Sequence, residues 1–206
     1  MNGIISGVAS LLALAIRVGN ALGRLPRRLW LLARMRADCT GHIPVTLQFD
    51  GPVRVAGRPV VHFGDHCRLG RDVFLETSEK GAITVGKHVR INAGCFLVSY
   101  AGITIGDDCL VGEYTSIRDA NHGIDGDKLI REQAHEAAPI VIGNNVWIGR
   151  GSSILRGIRI GDGAVVGANS VVTHDVPAMT VVAGCPARPL KKRGGGEGAG
   201  TPKAAV

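Results

Sequence analysis

A six-residue repeat is the feature of this 206-residue chain that restricts its fold most. Pairs of an apolar residue and a small one recur at Phe63-Gly64, Leu69-Gly70, Val85-Gly86, Ile91-Asn92, Ile105-Gly106, Val111-Gly112, Ile142-Gly143, Ile148-Gly149, Ile160-Gly161 and Val166-Gly167. A six-residue unit cannot contain a helical pattern together with a turn, but it can contain a short strand and a corner. The repeat therefore predicts stacked coils whose equivalent strands pair in parallel, about 4.8 Å apart.

The spacing of the units predicts the number of coils and the place where the stack is interrupted. Three units make one coil of 18 residues, with leading positions at 63, 69 and 75 and then at 85, 91 and 97. Successive coils start 22, 20, 37 and 18 residues apart. We expect about five to six coils, beginning near Ile43. The step of 37 predicts an extruded loop, about residues 122–139, between Arg118 and Ile140.

The composition predicts a core of aliphatic and small residues. Only 4% of the chain is aromatic and it has 30 glycines, which is unusual for a helical bundle. We expect a second set of inward positions four residues after the leading ones, at Cys67, Val73, Val89, Cys95, Ala101, Cys109, Thr115, Val146, Ser152, Ala164 and Ser170. Three of the five cysteines belong to this set, so we interpret them as buried, reduced thiols, which favours a cytoplasmic protein.

The net charge of +7 is concentrated at the two ends of the chain. Residues 1–36 contain six arginines and no acidic residue, and residues 191–206 carry a further +3, which leaves −2 on residues 37–190. A body without net positive charge is not expected to bind nucleic acid.

The first 36 residues combine an apolar stretch with arginines. Arg17 interrupts this stretch after about a dozen residues, too few to span a bilayer comfortably, and the basic start of a signal peptide is missing. We expect an amphipathic helix that lies either on an anionic membrane or on the protein's own body. The predicted organisation is a helical segment at 1–40, a β-helix domain at 41–190 and a disordered Gly/Ala/Pro-rich tail at 191–206.

Three segments resemble the hexapeptide-repeat O-acetyltransferases, in particular the branch that acts on maltose, galactosides and polysaccharides. They are "DANH" at 119–122, "NNVWIG" at 144–149 and "GCPAR" at 184–188, within a resemblance that runs from about Thr77 to Lys192. The resemblance implies an all-β fold, a left-handed parallel β-helix with a short N-terminal helix. It also implies acetyl transfer from acetyl-CoA to a sugar hydroxyl, in a homotrimer whose sites lie between subunits.

Carried over residue by residue, the resemblance assigns roles on the acceptor side of the site. His122 matches the general base that takes a proton from the acceptor hydroxyl, and Asn92 matches a residue that positions the acceptor. The other residues expected near the acceptor are Ser78, Tyr100, Asp119 and Trp147. Tyr100 stands where sugar-specific relatives carry a carboxylate, and Asp119 is expected to orient either the imidazole or the acceptor.

The resemblance also implies a groove for the coenzyme. The expected contacts are Gly149, Gly151, Ala168, Thr173, His174, Arg188 and Lys191. The two glycines are expected to let the backbone approach the pantetheine arm, and the last two residues to contact phosphates. Relatives commonly carry lysine in place of His174, and no metal is expected.

These features favour an acetyltransferase that modifies a cell-surface polysaccharide or its lipid-linked precursor, in the cytoplasm or at the inner face of the cytoplasmic membrane. An acetyltransferase for antibiotics or small sugars stays open, because its core is similar. A zinc hydratase of the γ-carbonic-anhydrase type also stays open, since it shares the fold and four histidines could supply ligands, namely His62, His66, His88 and His122. A non-catalytic scaffold is the remaining alternative.

Overall fold

The computed structural model describes residues 2–194 of the chain; residues 195–206, which hold most of the predicted tail, lie outside the described residues. The described part forms one long helix, α1 (Asn2–Asp38), and the strands β1 (Gln48–Phe49), β2 (Arg54–Ala56), β3 (Val61–Phe63), β4 (Arg68–Leu69), β5 (Phe74–Thr77), β6 (Ile83–Val85), β7 (Arg90–Ile91), β8 (Phe96–Ser99), β9 (Ile103–Ile105), β10 (Leu110–Val111), β11 (Ser116–Arg118), β12 (Ala120–His122), β13 (His135–Ala137), β14 (Ile140–Ile142), β15 (Trp147–Ile148), β16 (Ser153–Ile154), β17 (Arg159–Ile160), β18 (Val165–Val166), β19 (Val171–Val172), β20 (Thr180–Gly184) and β21 (Ala187–Lys192). One turn of 3-10 helix, Ile130–Glu132, lies between β12 and β13.

The strands form three sheets that the chain visits in turn. Sheet 1 contains β1, β4, β7, β10, β15, β18 and β20 in parallel, with β21 antiparallel at its end. Sheet 2 contains β2, β5, β8, β11, β16 and β19, and sheet 3 contains β3, β6, β9, β14 and β17. The predicted parallel β-helix is therefore confirmed. We call the turn from sheet 1 to sheet 2 the first corner, that from sheet 2 to sheet 3 the second, and that from sheet 3 back to sheet 1 the third.

Sheet 1 has seven parallel rungs rather than the five to six coils expected. The additional rungs come from the two ends of the stack, where the apolar-glycine pairs are missing. Strand β1 opens the stack before the first complete pattern, and β20 closes it by pairing in parallel with β18. The chain then reverses into β21, which runs to Lys192, so the β-helix extends past residue 190, the predicted end of the domain.

The core consists of the leading residues of the repeat, which are almost completely buried from Phe63 to Val172. The second set of inward positions is buried too, with one exception. Ala101 is exposed, and the prediction that it points inward was wrong. Ile103 occupies the inward position of that coil instead, in register with Ile83 and Ile140, because additional residues at the second corner shift the pattern.

All of the irregular steps in the repeat arise at the second corner. This corner is formed by residues 78–82 in one coil, 100–102 in the next and 119–139 in the third. The step between the leading residues on its two sides is 10 (75 to 85), 8 (97 to 105) and 25 (117 to 142) instead of six. The first and third corners, by comparison, keep four residues between strands in these coils. The stack therefore extrudes chain along one edge only, and that edge carries Ser78, Tyr100 and His122.

The third corner is held by a ladder of side-chain oxygens. Asn144 accepts a hydrogen bond from the backbone N–H of Asp107 at 2.8 Å, and its own N–H donates to Asp162 Oδ1 at 2.7 Å. Asp107 does the same for Lys87 N–H at 2.7 Å. Each coil thereby supplies an acceptor to the coil before it, which explains why an Asp or Asn follows the glycine at these turns.

Buried thiols and hydroxyls tie neighbouring coils together. Cys95 Sγ donates to the carbonyl of Gly112 at 3.0 Å, just as Thr115 Oγ1 donates to that of Gly149 at 3.2 Å. The same bond joins Cys67 to Gly86, Cys109 to Gly143 and Ser152 to Gly167. The inward cysteines are therefore free thiols that act as hydrogen-bond donors in addition to filling space.

The buried thiols, together with that of Cys39 at the end of α1, should make the protein less stable at alkaline pH. Burial raises the pKa of Cys95 and of Cys39 from 9.0 to about 11, and it raises the pKa of Cys67 and Cys109 as well. Above pH 9 the thiols ionise in the unfolded chain while the folded thiols stay protonated, so stability is present below pH 9 and is lost as the pH rises toward 11. We expect a loss of about 1 kcal/mol per thiol at about pH 10.

Urea unfolding at about pH 8 and pH 10 measures this effect, with Cys95→Ser as the matched variant. A serine hydroxyl keeps the donor and does not titrate in this range, as Ser152 shows at the equivalent position. The variant should therefore lose less stability between the two pH values than the wild type does. Equal losses in both proteins would contradict the assignment to buried thiols.

Helix α1 contacts the β-helix only near its C-terminal end, as far as its described side chains show. Leu31, Leu32 and Met35 are buried against the first coil. Two arginines fix this end to the segment that follows: Arg36 donates to the carbonyl of Ile43 at 2.8 Å and Arg28 to that of Val45 at 2.8 Å. The helix is 37 residues long, and no described part of it is long and apolar enough to cross a membrane.

The remaining described apolar side chains of α1 point into solvent. Each of the following is more than half exposed: Leu12, Ile16, Leu25, Leu29 and Trp30. A Cβ at Gly19 or Gly23 would meet no atom within 4 Å. The last turns of α1 thus pack on the body, whereas the described apolar side chains before them are not covered by it.

Candidate active site

A β-hairpin replaces the predicted loop at the second corner. Strand β12 pairs with β13 antiparallel, with His122 opposite His135. The hairpin is attached to the stack at its base, because Ala138 N–H donates to the carbonyl of Asp119 at 2.9 Å. Glu136, on the other face of β13 from His135, accepts a hydrogen bond from Arg156 at 2.7 Å. The extruded segment therefore has a defined structure. It holds His122 beside the three-sided β-helix, which we call the prism.

The imidazole of His122 lies at the end of a row of three rings. Its ring centroid is 4.4 Å from that of His135, and the His135 ring is 4.7 Å from that of Tyr100. Both histidines are exposed, so the ring nitrogens can be reached from outside. Among the described residues, no side chain or backbone group hydrogen-bonds to the His122 ring. His122 can thus accept a proton from a molecule that docks against this edge.

His135 was not predicted from the sequence to lie beside His122. The signal that could have found it is the pair of similar segments "ANHG" and "AHEA" on either side of a stretch rich in Gly and Asp. Two short strand-like segments on either side of such a turn-forming stretch predict a β-hairpin. A hairpin would place the two histidines opposite each other.

Ser78 and Tyr100 lie on successive coils of the second corner, next to the ring row. The Ser78 hydroxyl donates to the carbonyl of Tyr100 at 3.2 Å, and the Ser78 backbone N–H donates to the carbonyl of Ser99 at 2.9 Å. Both residues are partly exposed. The structure therefore brings Ser78, Tyr100 and His122 to one edge of the prism.

Asp119 does not have the role expected of it. Its side chain is completely buried and its carboxylate accepts hydrogen bonds from Ser99 Oγ at 2.9 Å and from the backbone N–H groups of Tyr100, Ala101 and Gly102 at 2.6, 2.9 and 2.7 Å. Both oxygens accept hydrogen bonds within this turn, and neither bonds to the described His122 ring. The correction is that Asp119 fixes the second corner below Tyr100.

Two residues expected near the acceptor lie elsewhere on this subunit. Asn92 follows β7 at the first corner, where its Oδ1 accepts a hydrogen bond from Arg90 Nε at 3.0 Å. Trp147 lies in β15 on the outer surface of sheet 1, opposite Leu110, and 41% of its surface is exposed. His122 follows sheet 2. One subunit therefore does not assemble these three residues around one point.

Part of the expected coenzyme set lies along the first corner. Gly149 and Ala168 are stacked there, and a Cβ on Gly149 would come within 2.5 Å of the Ala168 backbone nitrogen. Gly151 has φ +66, a conformation that other residues rarely adopt. Coil stacking explains Gly149 without a coenzyme. The turn alone does not require glycine at 151, because Asp72, Tyr114 and Asn169 occupy the same position of other coils with φ of 59, 59 and 56.

The rest of the set lies at the end of the prism. His174 and Arg188 line a cavity of about 270 Å³ together with Asp175 and Val182. Thr173 Oγ1 is 2.8 Å from His174 Nδ1. Lys191 lies farther along β21 and is exposed. The structure thus brings Thr173, His174 and Arg188 together at one end of the stack.

The histidines considered as zinc ligands do not form a metal site within one subunit. His66 and His88 stack face to face at the third corner, with centroids 5.3 Å apart and an interplanar angle of 9°. His122 lies at the second corner instead. Among residues 2–194, no three side chains of His, Cys, Asp or Glu converge as metal ligands. The described part of the chain therefore contains no set of ligands for the zinc that a hydratase would need.

Comparison with known proteins places the chain in a family. The family model "Bacterial transferase hexapeptide (six repeats)" matches residues 139–174, and "Hexapeptide repeat of succinyl-transferase" matches residues 82–113. The Escherichia coli protein named "Putative lipopolysaccharide biosynthesis O-acetyl transferase WbbJ" is 35% identical over 140 residues, which cover 64% of this chain and 71% of that protein. Escherichia coli galactoside O-acetyltransferase is 36% identical over 110 residues, 53% of this chain and 54% of that protein.

Solved structures agree with this placement. A hexapeptide-repeat acetyltransferase of Vibrio cholerae, complexed with acetyl coenzyme A, has a TM-score of 0.54 and 31% identity, with 78% of this chain and 74% of that chain covered. A maltose O-acetyltransferase of Clostridium difficile has a TM-score of 0.52 and 28% identity, covering 77% and 72% of the two chains. This chain belongs to the hexapeptide-repeat acetyltransferases. It is an acetyltransferase, and acetyl-CoA is its co-substrate.

Proposed function

We propose that this acetyltransferase transfers the acetyl group to a hydroxyl of a sugar, in a cell-surface polysaccharide or its lipid-linked precursor, and that His122 is the general base. The observation that carries the proposal is the accessible imidazole of His122, held on a hairpin at the edge where the stack extrudes chain. Ser78 and Tyr100 line the same edge and can contact an acceptor.

The reaction needs one base and no covalent enzyme intermediate. His122 takes the proton of the acceptor hydroxyl as its oxygen forms a bond to the thioester carbonyl carbon. The carbon–sulfur bond of acetyl-CoA then breaks, and the imidazolium returns the proton to the thiolate of coenzyme A. The products are the acetyl ester and free coenzyme A. A nucleophilic cysteine is not required, and the inward cysteines are kept protonated by burial, which raises their pKa.

The names of the relatives support a sugar as the acceptor. One relative is named for lipopolysaccharide biosynthesis, one for a galactoside, and one solved structure for maltose. The chain spans about half of the galactoside enzyme's length, so that enzyme supports the chemistry more than the particular sugar. The uncovered basic helix α1 favours an acceptor at a membrane over a free small sugar.

A panel of acceptors tests this proposal. We would follow release of coenzyme A from acetyl-CoA with methyl glycosides, with an oligosaccharide and with a lipid-linked glycan, separating products by chromatography. Turnover with the lipid-linked glycan is expected. Turnover with the methyl glycosides alone would favour the small-sugar alternative, and turnover with none of the sugars would contradict the proposed acceptor class.

We propose further that two subunits complete each site in a homotrimer. His122 lies at the second corner, whereas Asn92 and Gly149 lie at the first corner and Trp147 lies on sheet 1. Apolar side chains near the first corner are exposed, with Leu110 at 49% and Tyr114 at 64%. A neighbouring subunit that covers them would bring its first corner to the second corner of this one, since cyclic oligomers join two different surfaces of the same chain.

Mixing of inactive variants tests the shared site. His122→Ala and Asn92→Ala subunits, each inactive alone, should regain part of the activity after they are unfolded and refolded together. Hybrid oligomers then contain interfaces with one intact His122 and one intact Asn92. Sedimentation should give a mass of three 21.5-kDa chains for the wild type. A monomeric mass, or mixtures as inactive as the separate variants, would contradict a site shared between subunits.

We propose that the uncovered part of α1 binds an anionic membrane surface. Before Asp38 the helix carries arginines but no acidic residue. Its exposed side chains include Leu12 and Ile16 beside Arg17. Apolar residues that enter the interface and arginines that pair with lipid phosphates are the two features of helices that lie on membranes.

Removal of residues 1–24, which contain Leu12, Ile16 and Arg17, should strongly reduce binding to vesicles of equimolar phosphatidylcholine and phosphatidylglycerol, as measured by co-flotation. This truncation keeps Arg28 and the buried Leu31, Leu32 and Met35, so the body stays folded. The wild type should bind these vesicles and should bind pure phosphatidylcholine much less, because about 1 kcal/mol is gained per basic residue near an anionic surface. Equal binding of truncated and full-length chains would contradict the proposal.

A further inference from the structure

We propose that His135 is a positioning residue that holds the imidazole of His122 in its reactive orientation. This inference rests on the proposed role of His122 as the base. A general base is usually oriented by a group that hydrogen-bonds to its second nitrogen. Among the described residues no such group bonds to His122, whereas the ring of His135 lies directly beside it.

The pairing of the hairpin brings His135 to that position. Gly123 N–H donates to the carbonyl of Ala134 at 3.0 Å, and Ala138 N–H donates to that of Asp119 at 2.9 Å. These bonds make the odd-numbered positions of β12 the hydrogen-bonded ones. His122 and His135 are therefore a non-hydrogen-bonded pair, in which the side chains come closest, and their ring centroids are 4.4 Å apart.

His135 is itself fixed from its other side. Tyr100 lies 4.7 Å from it, centroid to centroid, so the His135 ring contacts a ring on each side. The backbone of Tyr100 is held by Asp119 Oδ1 at 2.6 Å and by the Ser78 hydroxyl at 3.2 Å. The row of rings thus connects the rigid second corner to His122 through packing.

This arrangement also gives Asp119 an indirect connection to the chemistry. Asp119 is buried in the turn that carries Tyr100, Tyr100 supports His135, and His135 supports His122. A displacement of about 1 Å in a reacting group can lower a rate about a hundredfold. The planar ring of His135, and not its ability to carry a proton, is what the geometry requires.

Three variants of the full-length protein test the inference: His122→Ala, His135→Ala and His135→Phe. With acetyl-CoA and any acceptor that the wild type turns over, His135→Ala should lower kcat about tenfold to a hundredfold and leave the KM for acetyl-CoA unchanged. His135→Phe keeps a planar ring and should restore most of kcat. His62→Ala, on the exposed outer surface of sheet 3, is the matched control and should change neither constant.

Carbon–proton NMR of the imidazole rings gives a readout that needs no acceptor. The signal of His122 is identified by its disappearance in His122→Ala. Because a ring lies 4.4 Å from His122, its resonance should shift in His135→Ala and return toward the wild-type position in His135→Phe.

The outcomes separate this inference from the proposed function. If His122→Ala keeps its activity, His122 is not the base and both fail. If His122→Ala is inactive while His135→Ala has the wild-type kcat and the wild-type His122 resonance, only the positioning role fails. If His135→Phe is as inactive as His135→Ala, His135 acts through its nitrogens, and positioning by the ring is wrong.

Discussion

Replacement of His122 by alanine should lower kcat by about 10² to 10⁴, the usual contribution of a general base. The side chain is exposed at the end of β12 and makes no hydrogen bond to the described residues, so its removal should leave the fold and the melting temperature unchanged. The rate of coenzyme A release from acetyl-CoA in the presence of the best sugar acceptor measures the effect.

His62→Ala is again a suitable control, because His62 is an exposed histidine on the outer surface of sheet 3, away from the second corner. It should retain wild-type kcat. If His122→Ala keeps more than about a tenth of kcat, the loss is smaller than removal of a general base produces, and another group must take the proton.

Replacement of Asp119 by alanine should produce the largest loss of stability of any single change considered for this site. The buried carboxylate accepts four hydrogen bonds, three of them from the consecutive N–H groups of residues 100–102. Each donor left without a partner costs about 1 to 3 kcal/mol. We expect the free energy of unfolding to fall by about 3 kcal/mol or more, measured by urea unfolding near neutral pH.

Two comparisons make the result for Asp119 specific. Asp125→Ala removes an exposed carboxylate from the hairpin loop and should change stability by less than about 0.5 kcal/mol. Asp119→Asn keeps the size of the side chain but replaces one acceptor oxygen with a donor, and should fall between the two. A stability of Asp119→Ala equal to that of the wild type would contradict the hydrogen-bonded turn.

The repeat was enough to predict the stacked coils because each unit allows one local structure only. A short strand buries the apolar residue, and the corner after it accommodates the small one. Every coil then offers the same pattern to its neighbour. The prediction failed where that pattern is missing. The rung of β1 and the reversal into β21 depend on pairing with existing strands, and no periodic signal marks them.

The site could be predicted only in part, for a related reason. His122 was predicted because a break in the repeat and a family motif coincide there, and the structure places it at the same corner as Ser78 and Tyr100. Asp119 was misread because spacing along a strand does not reveal which backbone groups a buried carboxylate will meet. His135 was missed because it reaches His122 through antiparallel pairing inside the extruded segment, which six-residue periodicity does not describe.

The central claim is that His122 performs the transfer and does not bind the coenzyme. Calorimetric titration of acetyl-CoA into the wild type and into His122→Ala tests it most directly. The expected coenzyme contacts Thr173, His174 and Arg188 lie at the end of the prism, so both proteins should bind with the same Kd. Loss of binding in His122→Ala would show that His122 holds the coenzyme, and absence of binding in both proteins would contradict the use of acetyl-CoA altogether.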